Sequence, residues 1–201
     1  VEKGKTYYYT FGLTNTITTN DFELVCRVNT GTGTQPGVSA NIQQVDKQDN
    51  GKSTIYTYSY TIPENDSNIG NNELFFIIRF KTACQGYFFN PVVYESTDSA
   101  KTQLLRNADF SQGLYGWIWE FKSFASGTME ANVTEYEVNL KVVDFDEDIT
   151  GIKPEEPEVP VTAKMLSISK TSAARGEMKA SIPVEKGKTY YYTFGLTNTI
   201  T

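Results

Sequence analysis

The chain has no histidine anywhere in its 201 residues and only two cysteines. Without imidazole, triads that use histidine, histidine metal sites and the commonest general base are excluded. Cys26 and Cys84 are too few for a disulfide scaffold, and neither stands in a metal-type or redox-type spacing. Cys26 shares strand parity with Phe22, Leu24 and Val28, so it is expected to pack inward as a small apolar residue; a Cys26–Cys84 bridge is the alternative. Basic clustering is also missing. Lys and Arg number 18 against 24 Asp and Glu, for a formal charge of −6. Phosphate binding needs a clustered Lys/Arg surface, so no nucleic-acid partner is expected. There is no apolar run of about 18 residues, the length a spanning helix needs, so no membrane span is expected. The opening Val1-Glu2-Lys3 is not a signal peptide, and any address of the parent protein is expected to lie outside this chain. Prolines are scarce, and Pro154, Pro157 and Pro160 fall together among glutamates, which marks Gly151 to Pro160 as an extended acidic loop or linker.

What the chain does have is 39% hydrophobic and 13% aromatic residues, a composition of the soluble globular class. The length suits one domain with a sizeable core. An internal repeat then sets the organisation. Residues 1–18 read VEKGKTYYYTFGLTNTIT and residues 184–201 read the same, an offset of 183 residues. Solenoid turns repeat every 20–50 residues, so a period this long is a domain. Eighteen identical positions do not follow from shared physical constraints, because the solvent face of a strand tolerates many substitutions. The match is a duplication. Either the chain samples an array of near-identical modules over slightly more than one period, which is the simpler reading, or the second copy was added deliberately.

The hydrophobic pattern is β almost throughout. From Lys52 to Ile62 the alternation places Tyr56, Tyr58, Tyr60 and Ile62 on one face and Ile55, Thr57, Ser59 and Thr61 on the other. Asp49-Asn50-Gly51 before it is a type I′ hairpin signal, with Val38 to Lys47 as the partner strand. Further strands are expected at Lys5 to Leu13, Phe22 to Asn29, Glu73 to Phe80, Tyr87 to Tyr94, Trp117 to Phe121, Thr134 to Phe145 and Lys164 to Ser169. Turn-rich stretches such as Thr30 to Gly37 and Pro63 to Asn72 separate them. No segment has a helical period. Short strands with Gly, Asn and Pro punctuation predict an all-β fold, an antiparallel β-sandwich or jelly roll.

Residues 105–117, LRNADFSQGLYGW, resemble the opening of β-jelly-roll carbohydrate-binding modules of the family four, nine and twenty-two group: Asn, small residues, Phe, a short Gly-containing turn, then Gly-Trp. Val1 to Phe11, and equally Val184 to Phe194, resemble that group's V-x-x-G-K-T-Y-x-x-x-F strand. Phe75 to Glu95 resembles its closing strand pair, ending in Tyr87-Phe88-Phe89-Asn90-Pro91-Val92. In family order the chain is phased across a module boundary: residues 1–95 are the C-terminal part of one repeat, 96–102 (STDSAKT) a polar linker, and 103–201 the N-terminal part of the next. The resemblance implies a core role for Trp117 and a structural calcium ion. Many members place an acidic residue after the first Phe and an Asp pair in the last strand; here these are Ser111 and Asn90-Pro91, leaving Asp109 and the Asn90 carbonyl as oxygen donors.

Glycosidase chemistry needs two carboxylates facing across a cleft, and no spacing here singles out a pair, so the chain is expected not to be an enzyme. Asp144, Asp146 and Asp148 alternate and would line one face of a strand, with Glu155 at the twelfth position of an EF-hand-like count. The sixth position is Ile149, where that loop needs Gly, so a solvated acidic edge that discourages strand pairing is the better account. Asn65-Asp66-Ser67 and Asn132-Val133-Thr134 match the glycosylation acceptor pattern, which also occurs by chance. Aromatic rings lie well against the apolar face of a pyranose, and the candidates for glycan contact are Tyr115, Trp119, Tyr56, Tyr58 and Tyr60. Alternating Tyr on one face equally fits a sandwich core or an interface between modules.

Two functions follow. One is a non-catalytic extracellular or cell-surface module that binds a polysaccharide or surface glycan weakly and gains strength by avidity across the array. The other is a structural bead of a stalk or filament. In both, neighbouring copies of the module are partners. The duplicated strand, with Tyr7, Tyr9 and Phe11 in one copy and Tyr190, Tyr192 and Phe194 in the other, meets one slot per sandwich, which opens the way to head-to-tail strand exchange.

Overall fold

The computed structural model describes residues 6–13, 20–28, 42–61, 73–94, 100, 102–103, 105–153, 164–183 and 191–197, with side chains undescribed at 6–13, 26–28, 42, 61, 73, 182–183 and 191–197. The expected turns at 30–37 and 63–72, the Asn65 triplet, Tyr190 and residues 154–160 lie outside these, as does most of the 96–102 segment.

The strands are β1 (Thr6–Leu13), β2 (Phe22–Val28), β3 (Ile42–Asp49), β4 (Ser53–Thr61), β5 (Glu73–Phe80), β6 (Cys84–Tyr94), β7 (Trp117–Trp119), β8 (Lys122–Ser123), β9 (Glu130–Val133), β10 (Val138–Asp144), β11 (Lys164–Lys170), β12 (Gly176–Pro183) and β13 (Tyr191–Thr197). They form two sheets, ordered β3-β4-β1-β13-β6-β11-β10-β9 and β2-β5-β12-β7-β8. Pairing is antiparallel except between β1 and β13, which run parallel. The fold is an all-β sandwich, as the alternation predicts.

Alternation decides what lies between the sheets. On β5, Leu74, Phe76, Ile78 and Phe80 are all at most 1% exposed. They join one core with Tyr56 and Tyr60 of β4, Phe88 of β6, Leu140 and Val142 of β10, and Leu166 and Ile168 of β11. Aromatic contacts knit its centre: Trp117 stacks on Phe110 at 5.1 Å and meets Phe88 edge-on at 5.2 Å, and Trp119 stacks on Phe80 at 5.7 Å. Each such pair adds about 0.5–1.5 kcal/mol beyond the area it buries.

The outer face of the larger sheet carries a second, smaller cluster of Ile55, Phe89, Ile152 and Met165. The one described α-helix, α1 (Glu147–Thr150), covers it together with Phe145 and Ile149. Asp146 caps α1 by accepting from the backbone N–H groups of Asp148 and Ile149, which removes two of the orphan donors of a helix start. The β3–β4 hairpin clamps the same segment: Ser53 Oγ and Asn50 Nδ2 both donate to the Thr150 carbonyl, at 2.6 and 3.0 Å.

Several local expectations differ from the structure. The hairpin after Asp49 forms, but only Gly51 of its two central residues has positive φ (85°), the pattern of a II′ turn and not the expected I′. The stretch Trp117 to Phe121 is not one strand: it turns at Glu120-Phe121, and β8 returns antiparallel with Trp119 opposite Lys122. Asp144, Asp146 and Asp148 do not line a strand face, since Asp144 ends β10 in an ion pair with Lys164 (2.8 Å) and the other two belong to the start of α1. Strands β8, β9 and β12 form where the sequence pattern predicts none.

Strands from both sides of residues 96–102 interleave in both sheets. The smaller sheet joins β2 and β5 to β12, β7 and β8, and the larger joins β6 to β11 along five residue pairs. Cys84, a free thiol, begins β6 in the larger sheet, whereas Cys26 lies on β2 in the smaller one, opposite Phe76; the Cys26 side chain is outside the described set. Burial pushes the Cys84 thiol up to about 12, with Lys170 pulling the other way, so it is not a thiolate at neutral pH.

Candidate functional site

The loop that leads into β7 is built around one amide. Asn107, itself at positive φ (50°), donates from Nδ2 to the carbonyls of Gly113 (2.7 Å) and Tyr115 (2.8 Å). Its Oδ1 accepts from Gln112 N at 2.8 Å, and its own carbonyl accepts from the Trp117 indole at 3.2 Å. Gly113 has φ of 67°, and a Cβ there would stand 2.3 Å from the Thr128 carbonyl oxygen. Only glycine fits. The Asn, Phe, Gly and Trp of this stretch therefore have structural work: the amide folds the loop, Gly113 lets the chain leading to β9 pass close, and Phe110 and Trp117 plug the core.

Beyond Trp119 the chain reverses. Glu120 sits in the left-handed region (φ 53°), a conformation costly for a residue with a side chain. Its N–H donates to the Glu177 carbonyl at 2.7 Å, which ties the turn to β12. The reversal breaks the inward parity of Trp117 and Trp119 and leaves the Phe121 ring at the hairpin tip, 86% exposed. Lys179 Nζ stands 5.0 Å from that ring's centroid and donates to the Glu120 carbonyl at 2.8 Å. A cation over an exposed ring contributes about 0.5–1 kcal/mol.

Beside the hairpin, on the outward side of the smaller sheet, lies a charged network. Glu177 is 1% exposed. Its carboxylate accepts from Arg175 and, at 2.9 Å, from Arg79 Nε, and it pairs with Lys179 at 3.1 Å. Arg79 also pairs with Glu23 of β2. Burial alone would raise the Glu177 pKa, but the hydrogen bonds from Arg175, Lys179 and Arg79 outweigh it and hold the carboxyl down at about 2. Glu120 moves the other way, raised by desolvation and then by the Glu177 charge. Two carboxylates with pKa values pushed apart are the signature of an acid–base pair. Glu177, however, is enclosed by its cations and out of reach of a substrate, and its geometry is that of an anchor for three strands.

The five aromatics expected to contact glycan part company. Trp119, Tyr56 and Tyr60 are 0%, 3% and 2% exposed and belong to the core; Gly176 packs against the Trp119 ring so closely that a Cβ there would lie 2.8 Å from it. Tyr58, half-buried on the same inward face, packs against that core and reaches Gln44 with its hydroxyl at 3.4 Å. Burial raises its phenol pKa. Tyr115 is exposed, on the loop that Asn107 folds. Phe121 is absent from the five because the sequence reads as one strand from Trp117 to Phe121; the turn at Glu120 cannot be read from residue types that carry no turn signal.

The donors suggested for calcium lie on two elements, β6 and the loop before β7. The Asp109 carboxylate is exposed and accepts from Ser111 N (3.1 Å) and Oγ (2.9 Å) in its own turn. Asn90 is 1% exposed, within β6. Among the described residues no group of three acidic, Cys or His side chains could hold a metal ion. No described helix is long and apolar enough to cross a membrane. Of the duplicated strand, the backbones at Tyr7, Tyr9, Phe11, Tyr192 and Phe194 are strand, with side chains outside the described set. Asn132 of the second glycosylation triplet is exposed on β9.

Comparisons with known protein families, with curated proteins and with solved structures find no match to this chain.

Proposed function

We propose that the chain is a non-catalytic repeat module of an extracellular or cell-surface protein, a jelly roll of the carbohydrate-binding type, which holds a surface glycan weakly and relies on the array for strength. The observation that carries this reading is the Phe121 ring, 86% exposed and presented on a hairpin tip with a cation beside it. An apolar ring exposed to water is costly unless something covers it, and the C–H face of a sugar does so while its hydroxyls meet neighbouring charged groups. Lys179 and the Glu120 carbonyl supply a donor and an acceptor beside that ring.

The test is a glycan array probed with one complete module. Weak binding, in the range of about micromolar to millimolar that avidity would amplify, is expected to be lost in Phe121→Ala with the melting temperature lowered by no more than about 4 °C. Silence across plant, algal and host glycans would instead favour the second reading, a structural bead of a stalk. That reading is supported by the burial of Trp119, Tyr56 and Tyr60, which withdraws three rings from any surface.

A further inference from the structure

The two copies of the repeated segment meet in the middle of the larger sheet. β1 and β13 pair in parallel with each residue opposite its own duplicate: Tyr8 with Tyr191, Tyr9 with Tyr192, Phe11 with Phe194. They also address the same neighbours. Tyr56 of β4 is opposite Phe11 and also opposite Phe194, and Val92 of β6 is opposite Thr10 and also opposite Thr193. These are equivalent residues of the two copies, 183 positions apart.

A strand residue has two ladder neighbours, one on each side. Tyr56 has Lys47 of β3 on one side, so Phe11 and Phe194 contend for the other. Adjacent strands lie about 4.8 Å apart and next-nearest strands about twice that, which leaves no flat ladder in which both copies are full partners of Tyr56. The flanking strands make the slot worth filling: Tyr56 and Tyr60 on β4 and Phe88 and Val93 on β6 are buried core residues, and an empty slot would leave two rows of unpaired backbone groups over that core.

We propose that the slot between β4 and β6 is an exchange interface that takes one copy of the repeated strand at a time, β1 or β13, and that the displaced strand fits the same slot in a second copy of the module. Identity of the two segments makes the exchange nearly neutral in energy, since the incoming strand rebuilds the same ladder and the same packing that the outgoing one leaves. In an array with a period of 183 residues, the same slot can then be closed by a module's own strand or by its neighbour's, joining beads through backbone ladders. The partner is therefore a second copy of this chain, recognised by register and not by a separate docking patch.

Proline substitutions in the full chain separate the alternatives, because proline removes a ladder hydrogen bond and is tolerated inside a central strand only at an irregularity such as the one beside Pro91 of β6. Tyr9→Pro and Tyr192→Pro are each expected to melt within about 2 °C of the unsubstituted chain, and the double variant about 10 °C or more below it. Mixing the double variant with the unsubstituted chain, which carries a spare strand, is expected to give a 1:1 heterodimer in sedimentation and to restore the variant's melting temperature. A single variant as unstable as the double, a double variant as stable as the parent, or a mixture showing neither heterodimer nor restoration would each overturn the proposal. If the double variant is insoluble, refolding it with the peptide of residues 1–18 decides the matter: a soluble 1:1 complex supports exchange, and continued precipitation rejects it.

Discussion

Glu177 shows how much a single residue can tie together. It is a buried carboxylate on β12 that holds Arg79 of β5, Arg175 and Lys179, and through Arg79 it reaches Glu23 of β2. Replacing it with glutamine leaves those cations facing one another, and breaking a buried pair from one side costs about 3 kcal/mol or more. Glu177→Gln is thus expected to lower the denaturant midpoint at neutral pH well beyond the small shift of Phe121→Ala, which removes about 0.5–1 kcal/mol. The pH dependence has a definite sign. The folded pKa, about 2, lies below the ordinary 4.5, so between these values the unfolded chain binds more protons. The stabilisation is complete above about pH 5 and is lost as pH falls toward 2. Glu120, raised in the fold, opposes this by costing stability as it ionises. Urea midpoints measured from pH 7 down to about 2.5 should fall more steeply for the parent than for Glu177→Gln; parallel curves would remove Glu177 from this role.

At the scale of the element, the loop before β7 and the β7–β8 hairpin are where a short motif becomes geometry. Asn107 satisfies three backbone groups of one loop and seats Trp117 beneath it. With a net value of about 1 kcal/mol for each such bond, Asn107→Ala is expected to cost about 2–3 kcal/mol. It should also loosen Trp117, seen as a red-shifted tryptophan emission, whereas Asp109→Ala, which touches only its own turn, should change neither. The motif is legible because each of its residues answers to a local constraint. The strands that escape a reading of the sequence have no such help. β12 alternates properly, with Glu177, Lys179 and Ser181 between Met178, Ala180 and Ile182, but it is rich in residues that favour helices, and its membership is decided by pairing with β5 and β7. Propensity for strands is weak wherever tertiary neighbours supply the packing.

For the whole molecule, the decisive feature is that the two sides of residues 96–102 build both sheets together. Neither side holds a complete core: Phe88 of one packs against Trp117 and Phe110 of the other, and Phe80 against Trp119. A chain cut by a protease at a site introduced within 96–101 is therefore expected to stay whole in gel filtration and to separate only in urea; two pieces that part under native conditions would contradict a shared core. The sequence by itself determined the all-β class, the two-faced alternation of β4, the folded loop at 105–117 and the 183-residue period, because alternation, turn chemistry and identity are local properties of the chain. Tertiary structure alone decided that Trp119, Tyr56 and Tyr60 are core while Phe121 is exposed, and that both copies of one segment address one slot. Those outcomes depend on which strand lies beside which, and pairing between distant segments is set by the summed burial of the whole core, which no window of residues contains.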